Sequence, residues 1–132
     1  MRQKRPDKKK ALSIAEASER EMKFTLTLKP TEASGSTIVR NIYECFRMLG
    51  DALLVARGIE AHDHKIQIME LLKVDVDTAR PIQIIDNLRQ LRHNINYYGY
   101  NPKISEVEDV ISIAKSCFEP LKKAVLEKIE NI

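Results

Sequence analysis

The sequence predicts an all-α protein, an up-and-down four-helix bundle with one short additional helix. Apolar residues recur at three-four spacing in several separate stretches, the pattern of helices that each bury one face. Those stretches are punctuated by residues that stop helices: Pro30, Gly58, Gly99 and Pro102. No pair of alternating runs is available to make a sheet, and the lone VDVD run at 74–77 has no partner strand for its backbone groups. At 132 residues the chain is one domain on size alone and can bury roughly two thirds of its unfolded surface, so its core needs no covalent staple.

The N-terminal segment 1–10 holds Arg2, Lys4, Arg5, Lys8, Lys9 and Lys10 against the single Asp7. Net charge is +3 overall, so the body without this segment is slightly acidic. A flexible, disordered basic tail over 1–10 is predicted, ahead of a single domain over 11–132. Such a tail either assists binding to phosphates without regard to sequence or stays as solvated chain.

The first helix is expected over 11–27, with Leu12, Ala15, Glu19, Met22 and Leu26 on one face. Pro30 ends it, and the small polar loop that follows offers Ser36 or Thr37 as the cap of a long second helix reaching Arg57. Its stripe of Ile38, Ile42, Cys45, Leu49, Ala52 and Ala56, broadened by Val39, Phe46 and Leu53, is the strongest core signal in the chain. This helix belongs at the centre of the fold.

A shorter helix is expected over 63–73, capped by Asp63, with Ile66, Met69 and Leu72 or Leu71 inward. A connector leads to Pro81, whose missing amide hydrogen suits the first turn of a further helix. The last helix is expected to open with a capping box made by Ser105 and Glu108 and to be kinked or split by Pro120. Cys45 and Cys117 sit on apolar helical faces, as small buried hydrophobes would, and not as a disulfide or a metal pair. No apolar run approaches the ~18 residues of a membrane span, and charges interrupt the N-terminus where a signal peptide needs an apolar stretch. A cytoplasmic protein without membrane contact is expected.

The segment LRQLRHNINYYG, residues 88–99, is the most informative stretch. Ile84, Ile85, Leu88, Leu91 and Ile95 share one helical face, and Arg89, Arg92, His93 and Asn96 fall together beside it at 100° per residue. Gly99 can take the left-handed conformation that closes a helix, so this polar group lies near a helix end.

The order of these elements resembles the HEPN superfamily: a long helix with a small-residue stop, a short helix, a helix with an Arg-polar motif, then a final long helix. The resemblance spans roughly residues 11–129. In the family signature an Arg and a polar residue are followed, four to six residues after the Arg, by His. Arg92 and His93 match the first two positions. Tyr97 stands where the histidine would be, and Tyr98, Gly99 and Tyr100 are similar to the aromatic-glycine end that often follows the signature.

What the resemblance implies is a helical homodimer that brings two copies of the Arg-polar segment into one cleft. It also implies either metal-independent RNA cleavage or binding of RNA, a nucleotide or a separate nucleotidyltransferase or antitoxin chain, with no cofactor. The tyrosine bears on that choice, because attack by a ribose 2′-hydroxyl needs an acid and a base near neutrality. A phenol with an ordinary pKa near 10 is ionised only about one part in a thousand at pH 7. Arg92, His93 and Tyr97 are the candidate catalytic residues, with His93 the imidazole available within the motif. Arg89, Asn96 and Tyr98 are candidate binding residues.

Each has a plainer role open to it. Arg92 either grips a phosphate with its planar fork or forms an ion pair. Asn96 either orients a phosphate or ribose oxygen or sits idle near the helix end. Tyr97 and Tyr98 either stack on bases or pack a dimer seam. Tyr43 and Phe46 are expected as core or dimer contacts. His62 and His64, flanking Asp63, carry a weak metal pattern that a simple helix cap explains better.

Overall fold

The computed structural model of the protein describes residues 2–132. It is all-α in character: α1 (Lys8–Thr25), α2 (Gly35–Ala56), α3 (His64–Leu71), α4 (Ile85–Tyr98) and α5 (Ile104–Glu130), with a 3-10 turn at Ile82–Ile84. A two-residue antiparallel pair, β1 (Arg2–Gln3) with β2 (Ile59–Glu60), completes it. Among the described residues no helix is long and apolar enough to cross a membrane.

The second helix is the axis of the molecule. It packs against all four other helices, and it does so because its apolar face is broad: Ile38, Val39, Ile42, Cys45, Phe46, Leu49 and Ala52 are all fully buried, leaving a narrow polar stripe of Arg40, Glu44, Arg47 and Asp51. So wide an apolar face needs neighbours on several sides. Each buried Ile or Leu contributes roughly 1.5–3 kcal/mol of transfer free energy, so this element supplies much of the core. Its neighbours run in set directions. The Asp7 amide donates to the Val55 carbonyl at 3.2 Å and the Lys8 ammonium to the Glu130 carbonyl at 3.2 Å. These bonds place the start of α1 beside the ends of α2 and α5.

Several expectations are corrected here. The basic segment is not a loose tail. The Lys4 amide donates to the Gly58 carbonyl at 2.5 Å, the Lys4 ammonium pairs with Glu60 at 3.1 Å, and Asp7 caps α1 by accepting from the Lys10 amide at 2.9 Å. Gly58 makes this contact possible. Its φ is +77°, and a Cβ there would stand 2.3 Å from the Lys4 carbonyl oxygen, so only glycine both turns the chain and admits the N-terminal strand.

The α1 face is rotated from the expected one: Ala11, Ala15, Ser18, Met22 and Thr25 are buried, while Glu19 stays half-exposed to pair with Lys122 and Lys23. Small residues inward let α1 lie close to α2. The second helix starts at Gly35 without a Ser36 or Thr37 cap, because Thr31 and Ser34 spend their hydroxyls on the loop. The Ser34 hydroxyl donates to the Lys29 carbonyl at 2.7 Å and accepts from the Thr31 amide at 2.9 Å.

The third helix buries Gln67, Ile68 and Leu71, and Met69 points outward at 45% exposure. The face is chosen by contact with α2, since a Cβ on Gly50 would lie 2.0 Å from the Gln67 carbonyl oxygen. Backbone rests on backbone there. The last helix begins at Ile104, because the Glu106 carboxylate, and not Glu108, reaches back to accept from the Lys103 amide at 2.9 Å. It continues unbroken past Pro120. A proline removes one amide hydrogen bond and crowds one carbonyl, and the burial of Cys117, Leu121 and Val125 on either side outweighs that loss.

Candidate functional site

The motif helix α4 forms as the apolar spacing dictates, with Ile85, Leu88 and Ile95 buried. Gly99 ends it at φ +64°, the left-handed cap, with the Gly99 amide donating to the Asn94 carbonyl. The Tyr100 amide donates to the same carbonyl at 3.2 Å. The polar residues of the motif do not form one patch. They divide between a side facing α2 and a side facing solvent.

On the α2 side, the Arg92 guanidinium lies over the ring of Tyr43, 5.5 Å from its centroid. Among the described residues Arg92 takes part in no ion pair, unlike Arg89, which donates to Asp86 at 2.9 Å, and Arg47, which grips Glu44 with two nitrogens. The phenol beneath Arg92 is 1% exposed, and its hydroxyl has no hydrogen-bond partner. Burial raises its pKa above the ordinary 10.0, while Arg92, Arg89 and Arg47 pull in the other direction. The hydroxyl therefore remains a proton donor within the field of three guanidiniums.

His64, the first residue of α3, packs against the same phenol with ring centroids 6.1 Å apart. Its pKa is held below the ordinary 6.5, first by burial and then by Arg47 and Arg92, so the imidazole is neutral at neutral pH. Asp63 caps the helix by accepting from the Lys65 amide at 2.9 Å, which sets the orientation of this first turn. Below it, Arg47 donates to the Gln67 amide oxygen at 2.8 Å and the Gln67 amide nitrogen to Asp51 at 3.1 Å. That chain of polar contacts locks α3 onto α2.

On the solvent side, the His93 ring lies 4.7 Å from Tyr97 and 5.7 Å from Tyr98. Tyr97 is 67% and Tyr98 76% exposed, so both present ring faces to water. Asn96 is turned to α2, where its side-chain oxygen accepts from Arg40 at 3.4 Å. Tyr100 donates its hydroxyl to Glu106 and is tied to the start of α5.

Of the candidate catalytic residues, then, His93 and Tyr97 are together and Arg92 is turned to the buried phenol beside them. Of the candidate binding residues, Tyr98 joins the exposed aromatic group, while Arg89 and Asn96 are engaged with Asp86 and Arg40. Sequence reasoning missed Tyr43 and His64 as part of the polar site. Tyr43 reads as plain core and is core, but nothing local in its sequence signals an orphaned hydroxyl under a guanidinium. Among the described residues no cluster of three or more His, Cys, Asp or Glu side chains is arranged to hold a metal ion. Comparison of the chain with protein-family models, curated proteins and solved structures finds no match.

Proposed function

We propose that this chain is an HEPN-like four-helix bundle with a short extra helix, acting as a cytoplasmic homodimer that binds RNA or a nucleotide along α4. The single observation that supports it is that one short helix carries both a guanidinium in no ion pair among the described residues, Arg92, and two exposed tyrosines packed on the imidazole of the next residue, His93. A cation and a stacking surface are the two contributions single-stranded nucleic acid takes from a protein. In the dimer, Arg92, His93 and Tyr97 of both subunits would line one cleft, with Arg89, Asn96 and Tyr98 at its margins.

Cleavage through this cleft is slow, because His93 is the motif's one imidazole and Tyr97 contributes a hydroxyl in place of a second base. A time course on structured RNA in EDTA, run beside Arg92→Ala, tests it. Slow cleavage that the substitution abolishes supports a metal-independent ribonuclease, and equal cleavage by both proteins refutes it. Binding is tested separately by fluorescence anisotropy with a short single-stranded RNA, where Arg92→Ala should lose at least about tenfold in affinity.

The exposure of Tyr97 and Tyr98 favours a second reading, in which the same face docks a separate nucleotidyltransferase or antitoxin chain. Tyrosines are favoured anchors of protein interfaces. A gene for such a chain adjacent to this one, and loss of the complex on Tyr98→Ala, would support that reading over RNA binding.

A further inference from the structure

We propose that Tyr43 and His64, from α2 and α3, complete a phosphate-binding site with Arg92 of α4, in which the Tyr43 hydroxyl donates a hydrogen bond to the phosphate that Arg92 draws in. This rests on the reading that Arg92 serves nucleic-acid or nucleotide binding, and it adds two residues that lie outside the motif helix.

Three observations meet at this place. The Tyr43 hydroxyl is buried and has no partner, whereas buried polar groups are nearly always paired and an orphan asks for an explanation. The cation over its ring is unpaired among the described residues and is held only by the ring face, a contact readily exchanged for a bidentate grip on phosphate. The third wall is His64, half-buried and 6.1 Å from the phenol, able to donate one ring N–H. Neighbouring cations are already neutralised, Arg47 by Glu44 and Arg89 by Asp86. Of the three guanidiniums that act on Tyr43, Arg92 is thus the one left over for a ligand, and Tyr43 is the donor left over.

Free nucleotide and RNA both present this phosphate chemistry, so the experiment keeps them apart. Wild type, Tyr43→Phe, His64→Asn and Arg92→Gln are compared for binding of a short single-stranded RNA by anisotropy. Inorganic phosphate and AMP are titrated while the imidazole C–H signal of His64 and the Nε–H signal of Arg92 are followed by NMR. Tyr43→Phe should weaken phosphate-bearing ligands about tenfold, the worth of one hydrogen bond to a charged acceptor, with a smaller loss for His64→Asn. It should leave the urea midpoint of the free protein unchanged or higher, because the substitution deletes an unsatisfied group. A merely structural tyrosine would give the opposite pairing, intact binding with lowered stability.

RNA binding that Arg92→Gln destroys but Tyr43→Phe and His64→Asn leave at the wild-type level overturns this inference and spares the reading beneath it. Movement of the His64 and Arg92 signals by phosphate or AMP, without RNA uptake, supports the inference and identifies a free nucleotide as the source. A wild-type protein that takes up none of the three probes sinks both.

Discussion

At the scale of single residues, burial decides what each ionisable group can do. His64 is held neutral because it is partly buried, packed against Tyr43, while Arg47 and Arg92 stand nearby. Its folded pKa lies below the ordinary 6.5, so the unfolded chain binds that proton more tightly. The stability this residue contributes is complete above about pH 7 and is lost as pH falls through about 6.5 and below. Replacing it by Gln should therefore flatten the loss of stability between about pH 7 and pH 5, measured as the difference in urea midpoint between variant and wild type across that window. An identical pH slope in both proteins would contradict the assignment. Cys45, whose thiol burial pushes up to about 12, should resist alkylation in the folded protein at pH 8 and react only on unfolding. Prompt labelling of the native protein at this position would count against its place in the core.

At the scale of elements, two glycines separate sterics from conformation. Gly50→Ala sets a Cβ 2.0 Å from the Gln67 carbonyl oxygen, a backbone atom that cannot step aside. α3 must lift, and the Arg47, Gln67 and Asp51 contacts go with it, so a loss of about 3 kcal/mol or more is expected by urea denaturation. Gly99→Ala meets nothing within 4 Å and costs only the strain of φ +64°, about 1–2 kcal/mol. A larger loss at 99 than at 50 would reverse this ordering.

The same scale explains what could be read in advance. The span of α2 and the Gly99 stop were legible because stripe and cap are local. The α3 face was not, since Ile66, Ile68, Met69, Leu71 and Leu72 offer more than one apolar side in seven residues, and the choice is made by a notch at Gly50 on another helix. The candidate site divides likewise. Its α4 members are visible as a motif, whereas Tyr43 and His64 arrive from two other elements and carry no shared spacing.

At the scale of the whole molecule, the motif and the N-terminal cations are held apart. Asn96 meets α2 at Arg40 and Asp7 meets it at Val55, positions about 22 Å apart at 1.5 Å per residue. A mononucleotide at Arg92 cannot touch both. Changing Lys8, Lys9 and Lys10 together to Gln should leave AMP affinity unchanged while weakening a long RNA and lowering the salt dependence of its binding by up to about two counterions. Equal effects on both ligands would show that the two regions are not separated in this way.

That one helix is everyone's neighbour has a further consequence for how the fold comes apart. The outer helices meet one another, chiefly α1 with α5 and α3 with α4, far more sparsely than they meet α2, so partial disassembly that loses α2 has no stable halfway form. Amide hydrogens in the middle of α2 should exchange only through global opening, at a rate set by the full unfolding free energy, and cooperativity is built into the topology.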